Sequence, residues 1–304
     1  MAVVLIAGSS GFLGSSLTER LRSQGHEVRR LVRRSSLAPD ELSWDPAAGR
    51  LELSALDDVT HVVNLAGAGV GDKRWTRARK QAILSSRVAS TALLASRIAA
   101  VEDGRITLVN ASAVGYYGDR GDEELTEQVP AGDGFLAGVC RAWERAADPA
   151  REAGHRVVHL RTGIVLDPAG GALARMLPLI RLGLAGPLGS GRQWWPWITQ
   201  EDVLGATTHL LFRTDVAGPV NIVGPQPQRN RDVIAALATA AHRPSLLPVP
   251  TFALRIALGE FATELTASQR ALPQALVDSG YTFTWPDLAT AAEHLISAPG
   301  RDSA

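Results

Sequence analysis

The chain has 304 residues, 45% of them hydrophobic, which is enough to bury a full core in one large or two fused domains. Lysine plus arginine balance aspartate plus glutamate at 31 each, so composition excludes a chain-wide field for nucleic acid or for a membrane surface. A single cysteine, Cys140, rules out an internal disulfide and suits a reducing compartment, and no apolar run is long enough to span a bilayer. The expected location is the cytoplasm, and Met1 to Gly8 reads as a strand because it lacks the basic start and cleavage site of a signal peptide.

The first element is an apolar strand, Val3 to Gly8, that opens into a helix through glycines at 8, 11 and 14. Without a Cβ at such a turn, phosphate oxygens can approach the free amides and the positive end of the helix dipole. Leu13, Leu17 and Leu21 then fall on one helical face. A connecting turn with no ligand is the plainer reading, but strand, glycines and helix in this order point to a dinucleotide pyrophosphate seated by Gly8, Ser10, Gly11, Phe12, Leu13 and Gly14.

The second strand, His26 to Arg34, ends about 20 residues beyond the glycine turn, where this arrangement meets the adenosine ribose. It closes on Arg33-Arg34-Ser35-Ser36 with no carboxylate. Guanidinium forks at Arg33 and Arg34 suit a 2′-phosphate, so the pattern favours NADP; a solvated basic turn is the alternative.

Strands and helices keep alternating. Thr60 to Gly67 reads as a buried strand, Arg77 to Val101 as a long helix, Ile106 to Ser112 as the fifth strand, Phe135 to Ala153 as a helix interrupted near Pro149, and Arg156 to Leu166 as the sixth strand. Glycine and proline punctuate 168–187 and 219–227, which suggests insertions above the sheet. From Arg229 the chain is mainly helical, broken at 244–250 and frayed from Ser297. The expected fold is therefore α/β: a Rossmann-type doubly wound parallel sheet with a smaller, mainly helical C-terminal substrate region. Residues 1–165 form the NADP-binding part, completed by later segments such as 219–223, and residues 166–304 the substrate-binding part interleaved with it.

With the glycine turn, the basic strand end, Asn64-Leu65-Ala66-Gly67 and Asn110 to Gly118 in view, the chain resembles an extended short-chain dehydrogenase/reductase. More narrowly it is similar to the atypical "epimerase family" group, some members of which carry a cell-division-inhibitor label. The likeness spans nearly the whole chain. It implies NADP(H) as cofactor and, in active relatives, hydride chemistry by a Ser-Tyr-Lys set in which the lysine lies four residues after the tyrosine. It also implies that Asn64, Leu65, Ala66, Gly67, Arg87, Thr162 and Gly163 line the cofactor.

The tyrosine–lysine pair is missing. Residues four beyond Tyr116, Tyr117 and Tyr281 are Arg120, Gly121 and Trp285, and on the register set by Glu144 the two positions hold Leu136 and Cys140. Ser112 matches the superfamily serine or serves as a strand-end hydroxyl. Either Tyr116 or Tyr117 could offer a phenol to the nicotinamide, and Thr126-Glu127 either faces substrate or is solvated. The run Trp194-Trp195-Pro196-Trp197 is read either as an apolar wall for a hydrophobic or aromatic small-molecule substrate or as packing under a loop. Seven scattered histidines lack metal-ligand spacing, so no catalytic metal is expected. Two functions follow: an NADP(H)-dependent oxidoreductase or epimerase on a small, partly apolar carbonyl or carbinol compound, and a non-catalytic NADP(H)-binding sensor. Either would act as a monomer or homodimer, without nucleic acid or membrane.

Overall fold

The computed structural model describes residues 1–35, 38–102, 105–213, 215–245 and 247–298; Ser36 of the basic strand end and most of the expected frayed tail lie outside the described residues. Seven strands form the central sheet: β1 (Val3–Ala7), β2 (Glu27–Val32), β3 (Glu41–Ser43), β4 (His61–Asn64), β5 (Thr107–Ala113), β6 (Arg156–Thr162) and β7 (Gly218–Ile222). All neighbours are parallel, in the order β7-β6-β5-β4-β1-β2-β3. The order reverses between β1 and β4, which leaves a crevice at their carboxyl ends.

The helices in chain order are α1 (Phe12–Ser23), α2 (Arg77–Ala99), α3 (Phe135–Arg145), α4 (Asp148–Glu152), α5 (Gly171–Arg181), α6 (Gln200–Phe212), α7 (Asn230–Ala240), α8 (Thr251–Leu258), α9 (Phe261–Thr266), α10 (Gln274–Asp278) and α11 (Leu288–Ser297). Strand residues alternate between two helical layers, as a sheet covered on both faces requires. Val4 and Ile6 pack with Leu17, Leu21, Val203 and Leu210 of α1 and α6. Leu5 and Ala7 pack on the other face with Leu94 and Ile98 of α2 and Ala150 of α4. A further core joins α5, α7 and α11 around Leu173, Ile234 and Leu295.

The structure refines some of the expectations above and changes others. The interruption expected near Pro149 in the helix over 135–153 is present: two helices part at Ala146-Ala147, with Pro149 in the first turn of α4, where its missing N–H leaves no bond unmade. The sixth strand stops at Thr162. After Gly163 the chain turns to pair residues 164–167 with 197–199 in a separate two-stranded ladder. The glycine- and proline-rich stretches are not all insertions: α5 spans Gly171–Arg181 despite Pro178, and β7 is the strand expected near 219–223 to complete the sheet, an edge strand in which Pro219 is tolerated.

Candidate functional site

The glycine turn sits at the crevice. Gly8 has φ +83°, and a Cβ on it would lie 2.7 Å from the Leu65 carbonyl carbon; one on Gly14 would lie 2.1 Å from the Gly8 oxygen. Both positions are therefore closed to any side chain. The amide of Gly11 donates to Gly8 O at 3.0 Å, and no side chain caps α1, so its first-turn amides face outward beside exposed Ser10 and Gly11. The Phe12 ring turns away toward Gly170, where a Cβ would meet it at 2.3 Å, and Leu13 packs on the core beneath α1.

At the end of β2 the structure supplies carboxylates that are absent from the strand itself. Asp40 and Glu41 open β3 alongside. Arg30 clasps Asp40 at 2.6 and 3.0 Å and also pairs with Glu41, while Arg34 makes two bonds to the buried Glu41 carboxylate at 2.9 and 3.0 Å. The Arg30 hydrogen bond holds the Asp40 carboxyl down at about 2. The two arginines expected to act together are thus separated in role: Arg34 is engaged, and exposed Arg33 makes no hydrogen bond or ion pair among the described residues.

The end of β4 is built from side chains that hold one another. Buried Asn64 donates to Thr91 Oγ1 at 2.9 Å and to Asn110 Oδ1 at 2.8 Å, and it accepts the Ala66 amide at 3.2 Å. Its carboxamide fixes the following loop from below, leaving the backbone of Leu65 and Ala66 against Gly8 and Gly67 beside the Arg87 side chain. Arg87 supports the same loop, donating to Ala68 O at 2.8 Å with its guanidinium 4.8 Å from the Trp143 ring centroid.

Around the end of β5 the expected chemical residues join one buried network. Ser112 donates to Glu144 Oε1 at 2.7 Å; Arg161 clasps the same carboxylate at 2.9 and 3.0 Å and donates to the Tyr117 hydroxyl at 3.0 Å. Tyr117 in turn donates to Asn221 Oδ1 at 2.8 Å. Burial pushes the Tyr117 phenol up to about 12, so of the two candidate phenols this one is closed to proton exchange near neutral pH. Tyr281 is also committed, to Asp202 Oδ1 at 3.1 Å. Tyr116 is half-buried, lies with its ring 3.5 Å from the Arg161 guanidinium carbon, and has no hydroxyl partner among the described residues.

Cys140, at the position where active relatives carry lysine, is buried against Ala113 O, and burial raises its thiol to about 12. Leu136 packs beside Gly115. Glu127 is not a substrate-facing group: its buried carboxylate accepts the Asn221 amide at 2.9 Å and the Ala275 amide at 3.3 Å, and burial raises its pKa. Thr162 bonds back to Leu160 O at 3.2 Å. Gly163 does mark a close approach, but to protein: a Cβ would fall 2.0 Å from Pro196 O. The tryptophan wall is overturned in the same way. Trp195 and Trp197 are core side chains, and Trp194 lies between the Arg229 and Arg270 guanidiniums at 4.3 and 4.9 Å with its indole N–H on Asp122. Sequence reading used Glu144 only as a register mark and missed Glu41 and Asn221, whose partners are brought to them by strand pairing across the sheet.

A glycine turn at the switch point of a parallel sheet, with α1 aimed across it, defines a Rossmann-like protein of the short-chain dehydrogenase/reductase type. The chain belongs to the NAD dependent epimerase/dehydratase family, which it matches over residues 4–223; residues 249–295 match a domain of unknown function, DUF1731. An epimerase family protein of Mycobacterium bovis is 45% identical over 98% of this chain and 99% of its own length. YfhF of Bacillus subtilis is 35% identical over 97% and 98%. The crystal structure of human epimerase family protein SDR39U1 with NADPH superposes with a TM-score of 0.87 at 32% identity, covering 97% of this chain and 99% of that one.

Proposed function

We propose that this chain binds NADP(H) in the crevice and acts as an oxidoreductase or epimerase on a small, partly apolar carbonyl or carbinol compound, without the tyrosine–lysine pair. The residues present fit the group. Gly8, Gly11 and Gly14 leave a cradle that Cβ atoms at 8 and 14 would fill, the uncapped α1 amides border it, and the loop from Leu65 to Gly67 forms its other wall. The observation that carries the preference for a 2′-phosphate is Arg33, an exposed guanidinium with no carboxylate partner among the described residues, while Arg30 and Arg34 are neutralised beside it. The NADPH seen with the human relative agrees with this reading. When bound, the cofactor supplies hydride; this chain contributes orientation and one available hydroxyl, that of Tyr116.

Titration of NADPH and NADH by fluorescence tests the cofactor. NADPH should bind more tightly, and Arg33→Ala should weaken NADPH on the order of 10-fold while leaving NADH unchanged. Equal loss for both nucleotides would remove the 2′-phosphate assignment. For the chemistry, a panel of ketones and quinones is screened for NADPH oxidation, and Tyr116→Phe should then lower kcat on the order of 100-fold. Unchanged turnover in that variant sinks the role of Tyr116.

A second reading, a non-catalytic NADP(H) sensor, has its own support. The Ser112 and Tyr117 hydroxyls are committed to buried partners, and an unreactive thiol stands in the lysine position. Tight NADPH binding with no turnover across the panel would select it.

A further inference from the structure

Away from the crevice, apolar side chains are exposed along adjoining segments of the C-terminal half. Leu179 of α5, Leu182 and Leu184 just beyond it, Leu247, and Phe252 and Ile256 of α8 are each between 46% and 71% exposed. Their segments are stitched together: Leu188 pairs with Val249, the Val249 amide donates to Pro187 O, the Gly189 amide donates to Val249 O, and Gly183 abuts the Pro244 ring. Helix α8 has its apolar side outward. Only Leu254 is buried, while Phe252, Arg255 and Ile256 share an exposed face at helical spacing. Apolar side chains scattered singly on a surface need no partner, whereas several large ones on adjoining segments mark a contact surface.

The segments that carry these side chains are basic, although the chain as a whole is balanced, and the acidic groups beside them are paired: Glu260 with Lys80 and Asp72 with Arg175. Residues 168–200 and 233–259 contain five arginines and no aspartate or glutamate. Arg181, Arg243 and Arg255 are exposed and have no ion pair among the described residues. A second copy meeting this face through a two-fold axis would bring these guanidiniums together, which opposes self-association. Among the described residues no helix is long and apolar enough to cross a membrane.

We propose that this face docks on an anionic lipid bilayer, with Phe252, Ile256 and Leu182 entering the headgroup layer and Arg181, Arg243 and Arg255 pairing with lipid phosphates. The face is tied to the loop after β4, because Arg74 donates to the Arg255 and Ile256 carbonyls, and to the first turn of α2, where Lys80 pairs with Glu260. Docking therefore sets that loop beside the lipid surface.

Flotation of the full chain with vesicles tests it. The protein should float with phosphatidylcholine vesicles containing phosphatidylglycerol and not with phosphatidylcholine alone, and salt should release it. Arg181→Gln and Arg255→Gln should each weaken binding about fivefold. Phe252→Ser with Ile256→Ser should weaken it at least about 10-fold, with an unchanged melting curve because both side chains are exposed. Phe252→Trp should shift to shorter emission wavelength on binding and be quenched by brominated acyl chains. Absence of flotation, equal binding to neutral vesicles, or full binding by the double serine variant overturns the proposal. So does a wild-type dimer that Ile256→Ser dissociates, which would assign the face to a second copy, or a preference for an acidic polypeptide over vesicles.

Discussion

Glu144 receives three donors, from Ser112 and from two nitrogens of Arg161, in a space with almost no access to water. Burial opposes the Arg161 cation, but the two-bond clasp of Glu144 outweighs it and holds the guanidinium firmly charged. A buried charge left without its partner is far costlier than the pair is beneficial, which is why this network reads as positioning for Tyr116 rather than as a proton relay. Cys140, one helical turn before Glu144, shows the opposite treatment: it is desolvated beside a carboxylate, so its thiol stays protonated. Ellman's reagent should leave the native protein unlabelled over hours at pH 8 and modify one thiol per chain once denaturant is added. Prompt reaction of the native protein would contradict the burial of this residue.

At the scale of elements, Gly163 decides the course of the second half. Its amide donates to Ile222 O at 3.0 Å, closing β6 onto β7, and its missing Cβ lets Pro196 O pass at contact distance, so that the chain leaves the sheet for the ladder of 164–167 with 197–199. Gly163→Ala should lower unfolding stability by roughly 3 kcal/mol, measured by urea melts, since the obstacle is backbone and cannot rotate away. A loss below about 0.5 kcal/mol would show that the two strands separate easily. The element boundaries divide along the same physical line. Strands β1, β4 and β5 and helices α1 and α2 were legible because period and length are local properties. The break after Thr162 and the helix across Pro178 were not, because what decides each is a contact with a distant segment: Pro196 for one, and the α7–α11 layer for the other.

Across the whole molecule, burial falls heavily on histidine. His61 is pushed down to about 4 by burial and by the nearby Arg156 charge, and burial also lowers His155, His159 and His209. An unfolded imidazole takes up its proton near pH 6.5, whereas the folded His61 resists until about 4. The unfolded chain therefore binds more protons in between, so stability is fully present above about 6.5 and is lost as pH falls toward 4. Tm should drop on the order of 5 °C over that interval, and His61→Asn should flatten the curve. An equally steep curve in the variant would assign the loss to other groups.

The sequence by itself determined the parallel α/β layering, the glycine cradle, the basic end of β2 and the lack of a tyrosine–lysine pair, since each is written in neighbouring residues. Only the tertiary structure decided which candidates are available to a ligand. Strand pairing brought Glu41 to Arg34 and Asn221 to Tyr117, and helix packing set Glu144 on Ser112, while Trp195 and Trp197 became core. Whether a polar group is free depends on its partners in space, and those partners lie from seven to 104 residues away along the chain.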